Sequence, residues 1–192
     1  ESFDDGAILP WSKTKQDLVM TTDSYTVFPL FFPGGNIGDL AACGTINDLV
    51  MMGAIPQAMT LSLIIEEGLS FSDLGSIIET FSNICSDNNI AVPCGDTKVM
   101  PKGSLNGLII NTAGIGVIPS ERRILDNNIQ PGDAIIVTGN LAEHGFTMLT
   151  TREGLKFKTN LRSDTSALLK LIQPILKYRI HAMKDPTRGG LA

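Results

Sequence analysis

Long apolar runs, paired cysteines, basic blocks and glycine-rich phosphate loops are all missing from this 192-residue chain, and each absence removes a class of function. The longest apolar stretches, near residues 61–65 and 108–118, are interrupted by Ser, Asn, Thr or Gly. They fall short of the roughly 20 residues needed to cross a bilayer, and no signal peptide is visible. Cys43, Cys85 and Cys94 are odd in number, widely spaced and set in apolar surroundings, which supports neither a disulfide framework nor a zinc pattern. A reducing cytoplasm is the expected compartment. A formal charge of -5 without a basic block argues against a nucleic-acid surface. No G-x-x-x-x-G-K-[ST] loop is present, and Gly114-Ile115-Gly116 lacks the rest of a dinucleotide fingerprint. An anionic ligand would therefore need metal ions or local amides.

What is present is a globule-forming composition, 43% hydrophobic, enough for one sizeable core or two small domains. The start without Met, and a stop at Gly189-Gly190-Leu191-Ala192 where a helix is expected to begin, read as an excised piece. The segment 18–23 reads as a strand ending in Thr-Thr-Asp, and 28–35 as a loop punctuated by Pro and Gly. Asn36 as N-cap and Asp39 in the first turn then open a helix over 37–52, with apolar residues at three- and four-residue steps and Gly53 at its end. A strand over 58–65 follows. Ser70 and Asp73 resemble a capping box for an amphipathic helix carrying Leu74, Ile77, Ile78, Phe81, Ile84 and Cys85. Residues 90–93 should form a strand entering a polar turn at 94–98, and 108–118 a long strand. A boundary between 119 and 132 precedes an expected strand at 134–138 and helices at 141–153 and 164–178, the last bent or shortened by Pro174. The two domains are thus 1–119 and 132–192.

The chemical signal is a recurrence of aspartates. Asp5, Asp23, Asp48, Asp96 and Asp185 each stand beside small residues at an expected strand end or on the central helix, and Asn47 adjoins Asp48 inside an apolar run. A single Asp in such a place is more often a turn or cap residue. Five converging without balancing cations would repel one another unless hard cations, most plausibly Mg²⁺, sat between them and a polyphosphate. Lys98 offers a cation to a phosphoryl group or a proton acceptor, although a solvated lysine is the plainer reading. Arg188 beside Gly189-Gly190 would clamp phosphate, as would amides after Gly34-Gly35, with loop flexibility the plain alternative. His144 and His181 lack metal-ligand spacing and read as structural. Cys43 and Cys94, near acids, are poor nucleophiles.

Taken as a set, Asp4-Asp5-Gly6-Ala7, Thr21-Thr22-Asp23-Ser24, Phe31-Phe32-Pro33-Gly34-Gly35, Cys43-Gly44-Thr45-Ile46-Asn47-Asp48-Leu49, Cys94-Gly95-Asp96-Thr97-Lys98-Val99 and Asp185-Pro186-Thr187-Arg188-Gly189-Gly190-Leu191 resemble the HypE family of hydrogenase maturation factors. That family sits in the superfamily of aminoimidazole ribonucleotide synthetase, selenophosphate synthetase and thiamine-monophosphate kinase. The resemblance implies an α/β protein of the α+β type with PurM-like two-domain architecture: an N-terminal mixed sheet with helices on one face that pairs with a second subunit, then a truncated C-terminal α/β domain. It implies ATP and Mg²⁺ as cofactors, and dehydration of a carboxamide on the protein's own C-terminal cysteine to a thiocyanate, the source of the cyanide ligand of [NiFe]-hydrogenase. Homodimerisation, the carbamoyltransferase HypF and the HypC–HypD complex are the implied partners. Carried over by motif, Asp5, Asp23, Asp48, Asp96 and Asp185 hold Mg²⁺ and ATP, Asn47, Arg188, Gly189 and Gly190 assist with ATP, and Lys98 is catalytic. The family's glycine-rich segment upstream of Asp5 and its terminal cysteine are not in this sequence, so the piece should not complete dehydration alone. Another ATP-using cousin, or a non-catalytic dimerising assembly module, remain the alternatives.

Overall fold

The computed structural model describes residues 7–9, 15–152 and 160–187. Strands β1 (Ala7–Leu9), β2 (Gln16–Tyr25), β5 (Ile55–Met59), β6 (Leu61–Glu66), β7 (Gly95–Met100) and β8 (Leu108–Pro119) form one mixed sheet in the order β1-β2-β8-β6-β7, with β5 continuing the line of β6 along β8. A small hairpin of β3 (Phe31–Phe32) and β4 (Gly35–Asn36) leads into helix α1 (Ile37–Met51). Helix α2 (Phe71–Asp87) crosses between the parallel strands β6 and β7, as a parallel pair requires.

Burial along β8 alternates without a break: even-numbered residues from Leu108 to Ile118 are buried, odd-numbered ones half-buried or exposed. A strand's two-residue period turns that into two faces. One is covered by α1. The other carries Met20, Ile109, Ala113, Ile115 and Val117 and has no helix over it among the described residues.

Helix α1 forms where expected, and for the expected reason. The Asn36 side chain accepts from Gly38 N while Asp39 Oδ2 accepts from Asn36 N, a complete capping box. Its buried residues run nearly all round, from Ile37 and Ala41 to Ile46, Leu49 and Val50, because the sheet, α2 and the C-terminal segment each take a side. Helix α2 shows one buried stripe, Ile77, Phe81 and Cys85, with Ser70 Oγ capping Asp73 N.

Beyond β8 the regular structure thins. Helix α3 (Glu143–Arg152) lies within the expected 141–153. The strand expected at 134–138 does not form, and Ile135 and Ile136 are 83% and 84% exposed. A strand needs a neighbour for its hydrogen bonds, and none pairs with this segment among the described residues. The helix expected over 164–178 shrinks to α4 (Leu169–Ile172) and a 3-10 turn, Gln173–Lys177. Pro174 withholds an N–H there, and the backbone before α4 bonds elsewhere: Leu168 N donates to Asn47 Oδ1 and Ser166 O accepts from Asn47 Nδ2. Met148, Leu169 and Ile172 join the core of the sheet and α1. The expected order of strand then turn at 90–98 is reversed: 90–94 is irregular and the polar Asp96-Thr97-Lys98 lies within β7, which presents its outer edge to solvent.

Candidate active site

Odd-numbered residues of β2 point at α1, so Thr21, Asp23 and Tyr25 meet the helix where it carries Thr45 and Asp48. Thr21 Oγ1 donates to Asp48 Oδ2 at 2.8 Å, and the Tyr25 hydroxyl donates to Asp23 Oδ2 at 3.0 Å. Thr45 Oγ1 lies 3.1 Å from the tyrosine oxygen and 2.5 Å from Thr112 Oγ1. Each hydroxyl owns one proton. With Tyr25 giving its proton to Asp23, Thr45 must donate to Tyr25 and Thr112 to Thr45, a directed relay that ends on a carboxylate. Such chains polarise cumulatively in a low-dielectric setting. Burial raises the Tyr25 pKa far above the ordinary phenol value, and the negative charges of Asp23 and Asp48 add to the rise. The ring therefore stays protonated and a donor at any physiological pH.

Gly44 is required here: a Cβ on it would run into the Tyr25 hydroxyl and ring. The relay fits because α1 has no side chain at that turn.

Asp48 and Asn47 are consecutive yet serve different neighbours. Asp48 faces Thr21 on the sheet, whereas both ends of the Asn47 amide are engaged by the backbone of residues 166–168. Asn47 thereby fastens the C-terminal segment to α1.

The four described aspartates, Asp23, Asp48, Asp96 and Asp185, do not gather into one group. Asp96 pairs in register with Ser62, Ser62 with Asn111, and Asn111 with Ser24, whose Oγ accepts from Asn111 Nδ2 at 2.9 Å. That row lies on the sheet face away from α1, and Lys98, two residues on, shares it. Asp96 and Lys98 are exposed. Asp185 accepts from the amide and hydroxyl of Thr187 in a tight turn. Asp5, Arg188, Gly189 and Gly190 lie outside the described residues. Among the described residues no group of three or more His, Cys, Asp and Glu could hold a metal ion.

Gly34-Gly35 has a structural use. Gly34 adopts φ +103°, and a Cβ there would meet the Ser163 backbone, whose N–H donates to Pro33 O at 2.8 Å. The expected structural reading of His144 also fits: its Nδ1 lies 3.0 Å from Ser163 Oγ and its ring packs edge-on against Phe32. His181 instead sits 2.8 Å from Asp133 Oδ2. Burial pushes the Cys43 thiol up to about 12, the Asp39 charge adding to the rise, and the Cys85 thiol up to about 11, so neither is a thiolate at neutral pH.

Sequence reasoning missed Tyr25 and Thr112. Tyr25 stands two residues after Asp23 on the same strand face, and Thr112 is a hydroxyl on the otherwise apolar, buried side of β8. Period-two bookkeeping on either strand would have found it.

Residues 3–118 match the model of the AIR synthase related protein N-terminal domain, and residues 130–192 that of the C-terminal domain. The chain belongs to the AIR synthase related family. Within this family it is similar to a hydrogenase expression/formation protein of Methanocaldococcus jannaschii, 48% identical over all of this chain and 57% of that protein. It is also similar to the carbamoyl dehydratase HypE of Rhizobium leguminosarum bv. viciae, 44% identical over 91% of this chain and 51% of that protein. The chain thus spans about half the length of the curated relatives it matches. Among solved structures, a HypE–HypF complex superimposes with a TM-score of 0.91 at 40% identity, covering 99% of this chain and 61% of that one. The maturation protein HypE in complex with ATP gives 0.87 at 39%, covering 98% and 56%. The α/β fold with its mixed sheet, and the likeness to HypE expected from the motifs, are borne out. No helix among the described residues is long and apolar enough to cross a membrane.

Proposed function

We propose that this chain supplies the nucleotide-binding part of a cytoplasmic, ATP-dependent carbamoyl dehydratase that prepares the cyanide ligand of [NiFe]-hydrogenase. The observation that carries the reading is the pairing of Asp23 and Asp48 about the Tyr25 hydroxyl, between the sheet and α1, in a chain similar to a HypE solved with ATP. An amide oxygen is a poor leaving group until it is phosphorylated. Transfer of the γ-phosphoryl group to that oxygen, loss of the two amide N–H protons and departure of phosphate leave a nitrile, here a thiocyanate on a cysteine sulfur.

Mg²⁺ bound through one or two carboxylates and completed by phosphate oxygens needs no all-protein cage, and Asp23 with Asp48 fits that demand. When bound, the ion would neutralise charge on the transferring phosphate. Thr21 and Tyr25 orient the two carboxylates by donating to them. Asp96 and Lys98, on the other sheet face, would serve the carboxamide or the partner's nucleotide, and Asp5, Asp185, Arg188, Gly189 and Gly190 would complete the phosphate contacts. Asn47 acts through the segment it holds. Cys43 and Cys85 are buried, and Cys94 lies inside the chain. The carbamoyl-bearing cysteine of this reading is therefore none of the three. The uncovered sheet face, with Met20 and Ile115 40% and 37% exposed, suits a second copy of the chain, and a HypF-type carbamoyltransferase and a HypC–HypD complex would be the further partners.

The test is calorimetric titration of the full-length protein with Mg-ATP. Asp23→Ala and Asp48→Ala should weaken binding about tenfold or more at a temperature where denaturation curves show both variants still folded. Unchanged affinity in both variants would overturn the proposal, as would thiocyanate formation by the isolated 192 residues.

A further inference from the structure

Seven residues back along β2 and β8 from the Asp23–Thr112 pair, Gln16 faces Pro119 and the paired strands end. At a rise of about 3.3 Å per residue that is about 23 Å from Asp23. Here the chain leaving β8 meets the segment 176–181 and lines an open cleft of about 490 Å³, within the range that holds small organic ligands.

The cleft's charge is one-sided. Arg122, Arg123 and Arg179 line it, against Glu121. Arg123 is neutralised by the buried Asp17 at 2.8 Å. Arg122 is positioned without being neutralised: it donates to the carbonyls of Gly53 at 3.1 Å and Leu176 at 3.5 Å and has no carboxylate partner among the described residues. Arg179 makes no hydrogen bond or ion pair there, although Asp133 feels its charge. His181 donates through Nδ1 to Asp133, so its buried Nε2, which has no partner among the described residues, is left an acceptor and takes no part in holding an anion. The Arg122 guanidinium, which has no carboxylate partner among the described residues, and that of Arg179 on the same lining suit an acceptor-rich anion. Leu176, Ile180 and Tyr178 on the same lining offer an apolar surface beside them.

We propose that this cleft binds a small organic anion, its phosphate or carboxylate head received by Arg122 and Arg179 and its apolar body laid against Leu176 and Ile180. The site is separate from the Asp23–Asp48 pair. Because Arg122 already joins the end of α1 to the C-terminal segment, an anion there would brace the two against each other.

Calorimetric titration of the full-length protein with phenyl phosphate, and separately with benzoate, tests this. Saturable binding of either at millimolar concentration, weakened about tenfold by Arg179→Gln and unaffected by Asp48→Ala, is the expected result. Arg179 is exposed and holds no hydrogen bond among the described residues, so its replacement should leave Mg-ATP binding and the melting temperature unchanged. Binding of neither probe would overturn the proposal. So would binding that Asp48→Ala abolishes, or binding indifferent to Arg179→Gln.

Discussion

Tyr25 donates its hydroxyl proton to Asp23 at 3.0 Å while Thr45 sits 3.1 Å away on its other side. Tyr25→Phe keeps the ring and removes the last donor of the relay. The loss of a partly buried hydrogen bond to a carboxylate should cost about 1–2 kcal/mol in folding. In the full-length protein it should weaken Mg-ATP binding by a comparable factor, about tenfold. Chemical denaturation and calorimetry on the same variant check both, and unchanged nucleotide affinity would detach Tyr25 from the site.

Gly44→Ala supplies a companion experiment. In an uncrowded helix the change would stabilise by about 0.5–1 kcal/mol, yet here the new methyl group meets the Tyr25 hydroxyl and ring. Overpacking of this kind costs about 1–3 kcal/mol, so the single variant should be destabilised. Adding Tyr25→Phe removes the nearest obstructing atom. The double variant should be more stable than the sum of the two single changes predicts, measured as a double-mutant cycle.

Asn47→Ala removes two bonds that hold residues 166–168 to α1. The expected loss is about 1–3 kcal/mol, felt locally: amide exchange at Leu168 should accelerate more than exchange in β8. Uniform acceleration across the sheet would mean that the segment is not fastened by this side chain.

Glu66 accepts from the amides of Gly103 and Gly107 at 2.5 and 2.9 Å, bonds that hold its carboxyl below the usual range. A depressed acid stabilises the fold above its unfolded pKa, and that contribution disappears as pH falls through the folded value. The stability gap between wild type and Glu66→Gln should therefore be full at pH 6–7 and close as the pH drops below about 4. Denaturant midpoints across that range measure it.

Helices α1 and α2 were legible in the sequence because a helix closes its own backbone bonds. Asn36, Asp39 and Ser70 announced the starts, and the spacing of Ile77, Phe81 and Cys85 gave the buried stripe. The segment 134–138 misled because β-branched residues mark a strand only where a neighbour exists to pair with it. Asp96-Thr97-Lys98 misled in the opposite sense. Polar residues suggested a turn, yet an edge strand open to solvent tolerates them. In the candidate site the acids were visible by type, but not the face each would take. Parity along β2, β6, β7 and β8 separates Asp23 from Asp96, and parity has meaning only once the register is known. Tyr25 escaped notice because the strand was expected to end at Asp23, whereas β2 runs on to Tyr25.

Asn47 and Asp48 occupy neighbouring positions on one rigid helix, a single 1.5 Å step apart along its axis. Any torque that the segment 166–168 applies through Asn47 reaches Asp48 undamped, for no hinge lies between them. A shift of the segment 166–168 that moved Asn47 would therefore be felt at Asp48 and at its bond from Thr21. If such a coupling exists, reciprocity requires that a ligand on the sheet side of α1 and the hold on its other side affect each other by the same factor.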